Sequence, residues 1–214
     1  MMPGGDSSQA ALGGIPRPIE FVTAALGLVL SAPVVAVAGL MIRAFSRGPI
    51  LFRQERVGRG GRAFVLYKLR TMRPSADGPQ VTARGDDRIT PVGRILRKTK
   101  LDELPQLWNV LRGDMSLVGP RPEVPRYVNL EDPLWVETLR VRPGITDPVT
   151  LKLKDEESLL AGFGGDPERF YREELQPEKL REYVAYSRKR SWATDVAVLC
   201  RTVLAVLFPS GAGR

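Results

Sequence analysis

The sequence has no histidine and only one cysteine, Cys200. The first absence removes Ser-His and Cys-His nucleophilic catalysis, the HExxH zinc site and histidine-based general base chemistry together. The second excludes an internal disulfide and a thiolate metal site. There is no P-loop, no GxGxxG and no internal repeat. Any acid-base or nucleophilic work therefore falls to Asp, Glu, Lys, Tyr, Ser or Cys200. Acidic residues are also short: 24 Asp+Glu face 32 Lys+Arg, a net charge of +8. That balance suits nucleic acid, an anionic lipid surface or a phosphorylated small substrate, and does not choose among them. Aromatic-basic RNA motifs are absent, which argues against nucleic acid.

What is present is ordinary globular material. A chain of 214 residues with 43% hydrophobic and 26% charged residues forms one domain with a real core. Residues 1–16, rich in Gly, Ser, Ala and Pro, are expected to be a flexible tail. Boundaries then follow at 17–46 for an apolar helix, 47–190 for the main body and 191–208 for a terminal helix of the same domain.

From Phe21 to Ile42 no residue is charged, with Glu20 before and Arg43 after. This run reaches the length at which a helix crosses a bilayer, about 20 residues. A core helix seldom stays apolar on every face for so long. Ala36-Val37-Ala38 matches a small-x-small cleavage site, but the apolar run continues past it into Arg43, Arg47, Arg53, Arg56, Arg59 and Arg62. Those arginines favour keeping the following residues in the cytoplasm. Pro33 predicts a kink over residues 29–33, with Ser31 able to bond a freed carbonyl. The physics of the segment leaves open whether it spans or turns back.

Residues 50–57 and 63–69, divided by Gly58-Arg59-Gly60-Gly61-Arg62, read as a β-hairpin. A polar loop is expected over 74–88. Thr90-Pro91 opens a helix, interrupted at Asp102-Glu103-Leu104-Pro105 and resumed until Gly113. Prolines 120, 122 and 125 force irregular chain, and residues 134–142 and 168–190 read as helical. Trp192 to Phe208 is mostly apolar, which fits a helix lying in a membrane interface or packed in the core.

Asp102 and Glu103 follow Arg94, Arg97, Lys98 and Lys100. Nearby cations keep a carboxylate ionised, which a carboxylate nucleophile needs, and also hold phosphates. Two carboxylates beside a diphosphate supply hard oxygen ligands for Mg²⁺. By spacing alone, an ion-paired helix surface explains the pair better. Arg121, between Pro120 and Pro122, is a second element suited to an anion, and Lys68 and Arg70 share one strand face as a candidate anion clamp.

The segments KTKLDELPQLWNVLRGDMSLVGPRPE (98–123), GPILFRQERVG (48–58), YKLRTM (67–72) and VRPGIT (141–146) resemble the bacterial sugar transferases. These are monotopic polyprenyl-phosphate phosphoglycosyl transferases, and the likeness to the small, catalytic-domain-only type runs from about Ile19 to Leu207. The resemblance implies an α+β, mainly helical fold. It consists of an N-terminal re-entrant membrane helix, a β-hairpin and amphipathic interfacial helices around a cytoplasmic catalytic site. It implies transfer of a phosphosugar from a UDP-sugar to a polyprenyl phosphate such as undecaprenyl phosphate, with release of UMP, at the cytoplasmic face of the bacterial inner membrane. Asp102 matches the nucleophile that carries the phosphosugar. Glu103 matches its helper, in Mg²⁺ binding or in activating the lipid phosphate. Arg97 matches a phosphate-binding arginine, and Lys68, Arg70, Arg121, Pro122 and Arg142 fall in segments lining the family's site. Anionic membrane lipids are implied partners, and a homodimer is open to an enzyme of this kind. The family bends its membrane helix at a Ser-Pro pair, whereas here Ala32 precedes Pro33 and the serine is Ser31. Glu20 stands where relatives more often have Asp. The sugar is not readable; residues 147–165 are the expected place for that choice.

Overall fold

The computed structural model describes residues 13–73, 82, 85–149, 159–160 and 162–208. The apolar run forms α1 (Arg17–Phe45), entered at Pro16 with Pro18 in the first turn, where a missing N–H costs nothing. α1 continues as one helix through Pro33. Ser31 Oγ donates to the Leu28 carbonyl at 3.3 Å, one residue before Val29, whose carbonyl Pro33 leaves without its amide. So the serine does contact the backbone at the proline, but not at the carbonyl that proline frees.

Both ends of α1 are bonded to the same body. At the start, Glu20 is buried and accepts from the Leu117 amide at 3.0 Å, from Ser116 Oγ at 3.4 Å and from Arg17 at 3.1 Å. Arg17 also donates to the carbonyls of Met115 and Val110. Past the other end, buried Arg70 donates to the carbonyls of Arg47 at 2.6 Å and Ser46 at 2.9 Å. Between them, Val29 and Leu30 are 72% and 77% exposed.

The hairpin pairs β1 (Leu51–Val57) with β2 (Ala63–Leu69) antiparallel, Val57 opposite Ala63 and Phe52 opposite Lys68. Its connection uses positive φ at Gly60 and Gly61, which only glycine takes without strain. Then come α2 (Pro91–Lys98), α3 (Gln106–Arg112), β3 (Ser116–Val118), α4 (Pro133–Thr138) and β4 (Gly144–Thr146). The helix expected over 134–142 thus stops earlier, at Thr138. The sequence reading also missed the parallel pair β3–β4, Ser116 opposite Gly144. Finally α5 (Pro167–Phe170) passes through a π-helical turn (Tyr171–Leu175) into α6 (Gln176–Lys189), and α7 (Trp192–Leu207) closes the described fold. The result is mainly helical, as expected, and among the described residues the hairpin is joined by a second small sheet that was not.

The core joins distant parts of the chain. Ala24, Leu66, Val110, Met115, Leu117, Val118 and Val198 pack together, linking α1, β2, α3, β3 and α7. Ala38, Ile42, Leu69, Val92 and Leu96 form a second group under the later half of α1. Asn109, fully buried, staples α3 to β2. Its Oδ1 accepts from the Tyr67 amide at 3.2 Å and its Nδ2 donates to the Val65 carbonyl at 2.7 Å. Within the stretch 1–16 expected as a flexible tail, Ile15 is instead buried and its amide donates to Asp195 Oδ2 at 3.2 Å. Residues 1–12, and most of the polar loop expected over 74–88, lie outside the described residues.

Gly93 is what lets α2 approach the hairpin. A Cβ there would sit 1.9 Å from the Thr71 carbonyl oxygen, and α2's cap Thr90 already donates its amide to that oxygen at 3.0 Å. Gly93→Ala is expected to cost about 3 kcal/mol, the upper end for overpacking, seen as a lowered midpoint in thermal unfolding.

Candidate active site

The chain reaches Asp102 through a strained reversal. Thr99 caps α2, and Lys100 then takes the left-handed region (φ 57°), the one non-glycine residue among those described with positive φ. That conformation costs about 1–2 kcal/mol. It turns the 3₁₀ segment Leu101–Glu103 back against the end of β2. Asp102 is consequently 4% exposed, so the pair is not the ion-paired helix surface that spacing favours. Its Oδ1 is buried without a hydrogen-bond partner.

The two carboxylates have different surroundings. Burial pushes the Asp102 carboxyl above its ordinary range, and Glu103 adds to this, against the pull of Lys68, Lys100 and Arg97. The cations around Asp102 are therefore present, but they do not outweigh desolvation. For Glu103 burial also opposes ionisation. Arg121 and Lys100, with the Arg121 hydrogen bond and Lys68, outweigh it and hold the carboxyl below its usual range. Arg121 Nη2 lies 3.1 Å from Glu103 Oε1. Such divergence within a carboxylate pair separates their chemical roles. Lys68 is drawn from the hairpin's second strand into this group. Burial lowers its ammonium to about 8, with Asp102 opposing and Arg121 and Arg97 assisting.

The remaining expected site residues divide. Lys68, Arg97 and Arg121 act on the carboxylate pair, and Arg97 also reaches Met72 Sδ at 3.8 Å. Arg70 shares a strand face with Lys68, but its guanidinium is committed to the Ser46 and Arg47 carbonyls, where it holds the end of α1. Arg142 Nε donates to the Gly113 carbonyl at 3.0 Å, past the end of α3. Pro122 is buried and its carbonyl accepts from Arg56 at 3.0 Å.

Arg56 belongs to a relay that the sequence did not reveal. It also reaches Glu123 Oε1 at 3.3 Å, Tyr171 donates its hydroxyl to Glu123 Oε2, and the buried Lys179 ammonium lies 3.4 Å from that hydroxyl and 5.0 Å from the ring centre. The relay fixes the chain directly after Arg121, at Pro122 and Glu123. Its only local signal was the PRPE tetrapeptide; nothing near Tyr171 announces a π-helical turn. Tyr171→Phe leaves Glu123 short of a donor and is expected to lower stability by about 1–2 kcal/mol, checked by thermal unfolding.

A model of the Bacterial sugar transferase family matches residues 13–209. The chain belongs to the bacterial sugar transferase family. It is accordingly a phosphoglycosyl transferase. Among relatives of this sugar transferase is a UDP-glucose:undecaprenyl-phosphate glucose-1-phosphate transferase of Caulobacter vibrioides. It is 41% identical over 212 residues, 97% of this chain and 75% of the relative. An enzyme of the same name from Escherichia coli is 34% identical over 195 residues, 87% of this chain and 39% of its own. A UDP-N-acetylgalactosamine-undecaprenyl-phosphate N-acetylgalactosaminephosphotransferase of Aeromonas hydrophila is 42% identical over 137 residues, 62% of this chain and 32% of its own. The chain thus spans about a third to two fifths of the last two relatives, and the sugars in the relatives' names differ.

Proposed function

We propose that this sugar transferase moves a sugar-1-phosphate from a UDP-sugar to a polyprenyl phosphate, undecaprenyl phosphate in the first instance, through a phosphosugar held on Asp102. The observation carrying this is the asymmetry of the pair, with Glu103 tied to Arg121 and Asp102 keeping a buried oxygen free of hydrogen bonds. A desolvated carboxylate whose affinity for protons is raised is the better nucleophile of the two. In the first step an Asp102 oxygen forms a bond to the β-phosphorus. The bond from that phosphorus to the bridging oxygen breaks, and UMP leaves with the electron pair. In the second step an oxygen of the polyprenyl phosphate attacks the same phosphorus and the Asp102 carboxylate is regenerated. Lys68, Arg97 and Arg121 neutralise phosphate charge that would otherwise repel an anionic nucleophile.

The donor set fits Mg²⁺. Among the described residues no group of three or more His, Cys, Asp or Glu is placed to hold a metal. Mg²⁺ nevertheless needs only one or two carboxylates when phosphate and water complete its shell. Asp102, by its unpartnered oxygen, and Glu103 would hold it, and the ion would neutralise diphosphate charge. UMP release from a UDP-sugar is expected to fall to background on chelation with EDTA and to return with added Mg²⁺; undiminished release in EDTA would remove the metal from the reading.

The same reading places α1 in the cytoplasmic leaflet as a re-entrant helix. α1 is long and apolar enough to cross a membrane. A perpendicular span, however, would leave one end across about 30 Å of hydrocarbon from the body. Here Glu20 and Arg17 at one end and Ser46 and Arg47 at the other are bonded to the same body, with the exposed apolar turn of Val29 and Leu30 between them. The exposed residues Trp192, Val203, Leu204 and Phe208 give α7 and its end apolar groups suited to the interface.

A further inference from the structure

Arg121 has two sides. One faces Glu103; the other lines a small recess with Glu123, Trp135, Tyr171, Gln176 and Lys179. As it stands the recess has about 10 Å³ of free space, room for a water molecule. It shares the lining residues Trp135, Gln176 and Leu180 with a cavity of about 560 Å³, within the roughly 300–1,000 Å³ of small-molecule clefts. Trp135 is packed in a core cluster, whereas Gln176 is half-buried and belongs to none. Gln176 Nε2 is nonetheless buried without a hydrogen-bond partner. A donor left unsatisfied in this way costs about 1–3 kcal/mol, which a ligand acceptor would recover. Gln176 follows the π-helical turn directly, and such turns occur often at functional sites.

We propose that this recess, joined to the cavity by movement of the Gln176 side chain, receives the sugar ring of the donor and reads its hydroxyl groups. The proposal rests on the transfer reaction above. The phosphorus attacked by Asp102 carries the sugar, and Arg121 is common to the carboxylate pair and to the recess, so the sugar's position follows from the phosphate's. Charge agrees with a neutral polyhydroxylated occupant. In the cavity Arg126 is paired with Glu168 at 2.7 Å and Arg169 with Glu173 at 2.9 Å, while cations outnumber carboxylates on the Asp102 side. Trp135 beside amide, carboxylate and ammonium groups gives the mixed aromatic and polar lining that fixes the orientation of a small ligand.

The test uses the full chain with polyprenyl phosphate and a panel of UDP-sugars that includes C4 epimers, read as kcat/KM for UMP release. Gln176→Leu is expected to change the ratio between the preferred sugar and its epimer by at least about tenfold, and to leave inhibition by UMP within about twofold of wild type. Lys179→Met is a second variant; if it does not fold, Gln176→Leu alone decides. An unchanged ratio overturns the proposal. So does a loss of UMP inhibition as large as the rise in KM, which would give the recess to the nucleoside. Absence of UMP release by the wild type from every UDP-sugar would instead overturn the transfer reaction itself, so the two failures are distinguishable.

Discussion

Asp102→Asn is expected to lower UMP release by at least about 10⁴-fold and to abolish any phosphosugar adduct on the protein, measured by a UMP assay and by intact-protein mass spectrometry. The magnitude follows from the role proposed: an amide does not form the acyl-phosphate bond, and the neighbouring Glu103 is held by Arg121 at 3.1 Å. The fold is expected to survive, because the substitution keeps the shape and removes a carboxylate that burial already disfavours as an anion. Thermal stability equal to or above wild type, with activity gone, separates a chemical role from a structural one. Retained turnover in a folded Asp102→Asn protein would sink the covalent mechanism. Glu103→Gln is the informative companion: it leaves Arg121 without its carboxylate, so its effect combines lost chemistry with a displaced arginine.

The second large effect is on stability. Asp195 is fully buried and accepts from Arg190 at 3.0 Å, from the Ile15 amide and from the Tyr186 hydroxyl, while Arg190 also donates to the Val118 carbonyl at 2.9 Å. Asp195→Ala strands the arginine, whose side chain is 7% exposed, and frees the residues leading into α1. Removing one partner of a buried pair costs about 3–5 kcal/mol. At about 2–4 °C per kcal/mol for a chain of this size, the unfolding midpoint in detergent is expected to fall by about 10 °C. A fall under about 2 °C would show that the network is solvated in practice. Adding Arg190→Met to Asp195→Ala should recover part of the loss, since the uncompensated charge is then gone.

Residues 147–165, the stretch expected to govern sugar choice, fall largely outside the described residues, which include 147–149, 159–160 and 162–165. The recess behind Arg121, lined in part by Tyr171 and Gln176, is the basis proposed for that choice instead. Relatives that act on different sugars show that such a choice varies within the family.

How far the sequence went depended on the range of the interactions involved. The hairpin was legible because Gly58 to Arg62 fixes its turn locally, and α2 because Thr90-Pro91 is a complete start signal, with Thr90 Oγ1 accepting from the Gly93 amide. The apolar helix was legible from composition, and the motif around Asp102-Glu103 from its length. The absence of histidine by itself turned the chemistry toward carboxylates. Tertiary packing alone decided the rest. Asp102 is buried rather than on an ion-paired surface because a left-handed Lys100 turns it against the hairpin. Arg70 parts from Lys68 because the end of α1 arrives with carbonyls to satisfy. Ile15 is anchored because Asp195, from the other end of the chain, needs donors. Parallel pairing of β3 with β4, and the placing of Tyr171 and Lys179 behind Arg121, join segments whose local patterns carry no information about each other. Local propensity and periodicity act over a few residues, whereas burial and the pairing of charges depend on which distant segments meet.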